Sequence, residues 1–373
     1  MKKSQLFMII IMIIFFVGQA KAAIWRVNNK SNYNGSTLYG ENFGGSAAYP
    51  VFAQINQAVA FGIVNSGDTL HVEGSTTIYD FSTITKRLAI IGTGYLLTEN
   101  QNTSNTTLET KLSRIVFNAG AESSQLVGVS VVSGGNVADA TVYVNVNGVT
   151  VKRCRIDNGI EFGSGLVDIY ILQNYFSNTI VSNALFTNGN VSFIPPTEIT
   201  FNNNICRKTL VWGTPATNPT TFWPILQCNN NVFDGPDNLA TTNLAFSTGE
   251  FKNNILMPVN AKVNISASAG VIAYNIGTLS TQFGTADNNV VVPAITSLFI
   301  TSTSTDGAYQ IANGSQANNT GSDGTDRGAF GGAAVINRYT LSGLAAIPAI
   351  YQITTTGATS TNLPVTISAR TIK

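Results

Sequence analysis

The stretch that decides the fold is 149–292, where a short phrase keeps returning. It reads Lys152-Arg153-Cys154-Arg155-Ile156, Leu172-Gln173-Asn174-Tyr175-Phe176 and Phe201-Asn202-Asn203-Asn204-Ile205. It continues as Cys228-Asn229-Asn230-Asn231-Val232, Phe251-Lys252-Asn253-Asn254-Ile255 and Ala286-Asp287-Asn288-Asn289-Val290. Aligned on Cys154, Asn174, Asn203, Asn230, Asn253 and Asn288, the residues two places later are all apolar, and most of those two places earlier are too. The residues between are nearly all polar, and alternation over five positions marks a strand with one buried face.

Successive phrases lie 20, 29, 27, 23 and 35 residues apart, and the long interval holds a degenerate copy, Ala273-Tyr274-Asn275-Ile276-Gly277. Periods in the twenties mark a solenoid, whose units bury their faces only by stacking. At the spacing of about 4.8 Å between strands, identical buried amides donate and accept along one column, which satisfies groups that would be costly alone. The aligned asparagines are therefore expected to form an internal ladder, with Cys154 in its first slot. Leucine-rich repeats share the period, but their L-x-x-L-x-L-x-x-N phrase is missing, and the segments between phrases lack helical periodicity.

Outside this stretch, residues 1–22 read as a signal peptide. Lys2 and Lys3 form the charged start, Leu6 to Val17 the apolar core and Ala20-Lys21-Ala22 the cleavage site. The apolar run is too short to remain as a membrane anchor, and no later stretch is long and apolar enough to span. An exported protein, extracellular or at the cell surface, is expected. Removing Lys2, Lys3 and Lys21 leaves 17 basic against 19 acidic residues, a net charge of −2. Only 10% of the chain is charged, against about 25% in ordinary soluble domains. Nucleic acid, which demands a basic patch, is thereby disfavoured as a partner. Cys154, Cys206 and Cys228 fall out of register along the phrases, so three buried free thiols are expected rather than a disulfide.

In chain order, Ile24 to Val27 reads as a strand, and Phe52 to Val59 as an amphipathic helix of about two turns. Ser66-Gly67-Asp68-Thr69-Leu70-His71-Val72 follows, then Ile84-Thr85-Lys86-Arg87-Leu88-Ala89-Ile90-Ile91-Gly92. A helix, then GDTLHV, then I-T-K-x-L-x-I-I-G resembles the entry of right-handed parallel β-helix proteins of the pectate-lyase-like superfamily. The resemblance covers roughly residues 24–332. It implies an all-β fold, a single right-handed parallel β-helix over 23–333 with an N-terminal capping helix. Asp326-Arg327-Gly328-Ala329-Phe330 is similar to the phrase that closes such helices. Residues 334–373 are expected to form a C-terminal β tail, a hairpin or edge strands over the end, or a linker.

The chemistry of that superfamily's enzymes leaves no clear signature here. A lyase needs acids clustered around Ca²⁺ and a basic residue to take a proton, and a hydrolase needs two or three close carboxylates. Asp287 is the one acid beside the aligned column, and Asp157, Glu161 and Asp168 are expected to scatter. No metal site is expected, although Asp323-Gly324-Thr325-Asp326 would suit Ca²⁺ in a turn as well as a plain turn. His71, the single histidine, reads as structural.

Arg153 and Arg155 flank Cys154 on the outward face, with Tyr175 one turn above Arg155, a spacing that fits a cation–π pair. They would grip a uronate or sulfate, or else belong to an ordinary solvated face; Arg207, Lys208 and Lys252 are open to the same two readings. Trp212, Phe222 and Trp223 lie in a long loop, where aromatic rings either stack on sugars or fold back on the body. The expected function is adhesion or glycan binding without catalysis, the partner being a polysaccharide or surface glycan. The alternative is a polysaccharide lyase or glycoside hydrolase acting on acidic polysaccharide.

Overall fold

The computed structural model describes residues 22–371 apart from 31–38, 101–102, 105, 135–138, 179–183, 189–191, 216–218, 238–241, 268–269, 346–347 and 358–362. All but Ala22 of the expected signal peptide lies outside the described residues. Three long parallel sheets, with few helices, dominate the fold. The chain visits them in rotation. Thr150–Lys152 joins the first sheet, Arg155–Ile156 the second and Gly159–Phe162 the third. Ile169–Leu172 and Tyr175–Phe176 then pair in parallel with the equivalent strands of that circuit. The core lies between the sheets, where Phe176, Phe201, Phe233 and Phe251 stack one above another at centroid distances of 5.9, 6.3 and 6.2 Å.

The asparagine ladder exists, but most of it is one residue later than the sequence alignment placed it. Its rungs are Cys154, Asn174, Asn204, Asn231, Asn254, Asn275 and Asn289. Asn204 Oδ1 accepts from both the backbone N–H and Nδ2 of Asn174, at 2.9 and 3.1 Å. Asn204 Nδ2 in turn donates to the Ile171 carbonyl at 3.0 Å. The same pattern repeats at Asn231, Asn254 and Asn275. The alignment on Asn203, Asn230, Asn253 and Asn288 is therefore corrected, and Ala273-Tyr274-Asn275-Ile276-Gly277 is a full rung.

Left-handed backbone causes the offset. Arg153, Gln173, Asn203, Asn230, Asn253, Tyr274 and Asn288 all have φ between 54° and 60°. Each turns the corner between the first and second sheets and resets the alternation. Phe201 and Asn204 point inward while Asn202 and Ile205 point outward, so the phrase is two short strands, not one. Asparagine tolerates this conformation better than most residues because its short side chain bonds locally.

The helix α1 (Ile55–Ala60) packs against the first strands and buries Ile55, Ala58 and Val59. This helix begins three residues later than the periodicity predicts, because Val51–Phe52 pairs as a strand with Ile24–Val27. Asp68 of the GDT phrase fastens the first strand. It accepts from Ala23 N, Trp25 Nε1 and Asn65 N, each at 2.8 Å.

Beyond the last circuit, residues 292–343 form a strap that runs back over the outer face of the second sheet. There the outward column Tyr175, Ile205, Val232, Ile255 and Ile276 is buried under Leu298, Tyr309, Ala317, Ala329 and Tyr339. Asp326 to Phe330 lies in this strap and closes no circuit: Arg327 reaches the Asn275 and Asn288 carbonyls. The packed segment continues through Gly343, past the expected start of the tail at 334. Pro348–Thr355 and Val365–Thr371 then form an antiparallel hairpin.

Candidate functional site

The residues singled out from the sequence fall into separate groups. Trp212 packs with Trp223, while Arg155, Tyr175 and Arg207 are neighbours under the strap, Arg207 bonded to the Tyr175 hydroxyl. Trp212 is 1% exposed and packs among Phe162, Phe186, Phe193 and Trp223. It offers no face to a ligand, so of the two expectations the folded-back one describes Trp212. Trp223 is half-buried on the same cluster, 4.7 Å from Trp212. Phe222 is half-buried in a small antiparallel pair, opposite Gly213.

Arg153 and Tyr175 are buried, at 8% and 2% exposure. Arg153 donates Nε to Gln173 Oε1 at 3.1 Å. Arg155 is tied to Asp157 through two contacts of 2.9 and 3.3 Å. The expected stacking of Arg155 on Tyr175 is not among the cation–π contacts of the described residues, which involve Arg114 and Arg327. The strap covers this face, and that is the physical reason for the difference: what the sequence reads as an outward strand surface lies beneath another segment of the chain.

The remaining candidates are also engaged. Lys252 pairs with Glu250, and Arg207 lies 3.4 Å from Asp234. Lys208 is buried, 1% exposed. Asp157 accepts from Ser177 Oγ at 2.6 Å. Asp323 accepts from Thr325, and Asp326 from Asn318 and Asn319, so both carboxylates close their own turns. Among the described residues no group of three His, Cys, Asp or Glu side chains is placed to hold a metal. All three cysteines are buried free thiols, and burial pushes Cys154 and Cys206 up to about 12, far from thiolate at neutral pH. His71 is exposed on the outer face of the first sheet, beside Arg26 and Ile91.

Two open surfaces among the described residues carry polar and aromatic side chains suited to a ligand. The first is a groove of about 430 Å³ between the outer edge of the first sheet and the strap. Lys152, Asn202, Asn203, Asn229 and Asn230 line it from the sheet and Ala333 from the strap. Burial, with Arg153 beside it, holds the Lys152 ammonium below the usual lysine range.

The second is the outer face of the third sheet, where register aligns Thr83, Val116, Tyr143, Glu161 and Thr187 across neighbouring strands. The alternation is clean here: Val142 and Val144 are buried, while Tyr143 between them faces outward. Arg114 lies over Phe81, its Cζ 4.2 Å from the ring centroid, and 5.8 Å from that of Tyr143. Phe81 is 39% exposed. Glu161 is half-exposed on the next strand, and burial alone raises its carboxyl above the ordinary range. Phe81 and Arg114 sit two residues before the Thr83 and Val116 positions of this register, so the four groups form a diagonal aromatic–cation–aromatic–acid row. Phe81, Arg114 and Tyr143 carry no motif that marks them in the sequence; the period-2 pattern of Thr141 to Val144 is the signal that puts Tyr143 on the outside.

Comparison with protein-family models, curated proteins and solved structures finds no match to this chain. No helix of the described residues is long and apolar enough to cross a membrane.

Proposed function

We propose that the chain is an exported right-handed parallel β-helix of the pectate-lyase-like kind that binds a glycan at or outside the cell surface without cleaving it. The row Phe81, Arg114, Tyr143 and Glu161 carries this reading. Aromatic faces stack on the apolar faces of sugars, while Arg and Glu supply donors and acceptors for hydroxyl groups. Tyr143 and Glu161 are cross-strand neighbours about 4.8 Å apart, and Phe81 and Arg114 lie two residues back along the register, so a polymer crossing the sheet obliquely meets all four. The buried carboxylates elsewhere are spent on internal partners, which supports binding over hydrolysis.

The test is retention on immobilised glycans. Tyr143→Ala and Phe81→Ala should each weaken retention by about tenfold, the loss of one stacking contact, while leaving the thermal midpoint nearly unchanged. Equal retention of both variants and the parent would refute the reading. Polysaccharide cleavage is the second reading, and the observation favouring it is Lys152, a partly desolvated amine in the polar groove. Unsaturated sugar products, followed by their double-bond absorbance and abolished by Lys152→Ala, would establish it.

A further inference from the structure

We propose that Glu161 sets ligand choice on the third-sheet face. It admits glycans that present hydroxyl or amine donors and turns away polymers of sugar acids. The inference rests on the glycan-binding reading above.

Glu161 faces outward between inward Ile160 and Phe162, and its strand neighbours in register are Tyr143 and Thr187. Its carboxylate has no hydrogen-bond or ion-pair partner among the described residues. That sets it apart from Asp157, Asp234, Glu250 and Asp306, which accept from Arg155, Tyr309, Asn229 and Asn100 respectively. An acceptor without a donor, half withdrawn from water, is stabilised by a ligand that brings donors and destabilised by one that brings a second carboxylate.

Arg114 does not cancel this preference. It is held between the rings of Phe81 and Tyr143, with its Nε buried. Arg114 immediately precedes the strand Ile115–Phe117, two strands from Glu161 and two residues back along the register, which places their backbones roughly 12 Å apart. Screening at physiological salt weakens interactions between exposed charges over that distance. A single sugar acid would find Arg114, but a polymer of them crossing the face would set a further carboxylate against Glu161. Thr187, the following rung, is exposed and uncharged.

The experiment measures binding of the full chain to three soluble polymers: a neutral glucan, a partly deacetylated aminoglucan and polygalacturonate. The parent should bind the glucan or the aminoglucan and bind polygalacturonate at least tenfold more weakly. Glu161→Gln should raise polygalacturonate affinity about tenfold, and Thr187→Glu, which adds an acid on the next strand, should lower it further. Thr187→Glu keeps the test decisive if Glu161→Gln perturbs folding. Parent binding to polygalacturonate as tight as to the neutral polymer would overturn the inference, as would polygalacturonate affinities unmoved by either change. Tyr143→Ala separates the two levels. If it weakens binding while polygalacturonate is preferred, the choice assigned to Glu161 is wrong but the face is a glycan site. If it changes nothing on any polymer, the face itself is wrong and the inference falls with it.

Discussion

Asn203 and Asn204 are consecutive residues whose amides work on opposite sides of the same wall. Asn204 lies inside, between Asn174 and Asn231, while Asn203 reaches outward and donates to the Ala329 and Gly331 carbonyls at 2.9 and 2.8 Å. Gln173, one circuit earlier, donates to the Ile336 and Arg338 carbonyls, and Asn253, two later, exchanges bonds with Ser322. The stack thus carries two amide columns, an inner one that joins the circuits and an outer one that holds the strap.

The two columns should separate by mutation. Asn204→Ala strands the buried Asn174 N–H groups and the Ile171 carbonyl, at a cost of about 3 kcal/mol in urea unfolding. Asn203→Gly keeps the left-handed corner but removes the strap contacts. It should cost about 1 kcal/mol and show first as faster proteolysis between 328 and 338. Equal losses at both positions, with no change in strap cleavage, would show that the columns do not act separately.

Gly328 tests the strap from its own side. Its φ is +86°, and an added Cβ would stand 2.9 Å from Ile255 Cδ1 and 3.1 Å from Val232 Cγ2. Gly328→Ala combines left-handed strain with a clash against the outward apolar column. A loss of about 2 kcal/mol is expected, with amide exchange accelerating in 322–343 before it does in the stack.

Asp68 gives the stability of the first strand a pH dependence. Burial works to raise its carboxyl, but hydrogen bonds from Asn65, Trp25 and Ala23 outweigh it and hold the group below the ordinary value. A depressed carboxylate contributes stability above its unfolded range, near pH ~4, and loses it as pH falls through the folded value. The gap in unfolding free energy between parent and Asp68→Asn should therefore be widest at neutral pH and narrow below about pH 4. A gap that is flat with pH would mean the charge itself contributes nothing.

Periodicity made the parallel sheets and their internal amide column legible, because a buried polar residue recurring every twenty to thirty positions needs an identical neighbour on the next strand. It could not reveal the left-handed corner. A run such as Asn202-Asn203-Asn204 offers three amides of equal chemistry, and only φ decides which one points inward. The strap was hidden for a different reason. Residues 292–343 show no repeat, and the apolar residues they cover, Ile205, Val232 and Ile255, satisfy a one-sided strand pattern equally well from the other side. The candidate face escaped because Phe81, Arg114, Tyr143 and Glu161 are scattered over some eighty residues of sequence and meet only through the strand register.

Trp212 illustrates how an apparent surface aromatic becomes core, and it supports a quantitative test. Its ring fills the space between Phe162, Phe186, Phe193 and Trp223, yet its indole Nε1 is buried without an acceptor. Trp212→Ala opens a cavity among rings that cannot collapse onto one another, at a cost of about 4 kcal/mol. Trp212→Phe also loses volume but removes the unsatisfied N–H, which offsets part of the cavity penalty. It should cost only about 1–2 kcal/mol. Neither change touches the row at Tyr143, so glycan retention measured well below the melting temperature should be preserved in both. Retention lost in Trp212→Phe, with its stability intact, would move the binding site from the third-sheet face to the aromatic cluster.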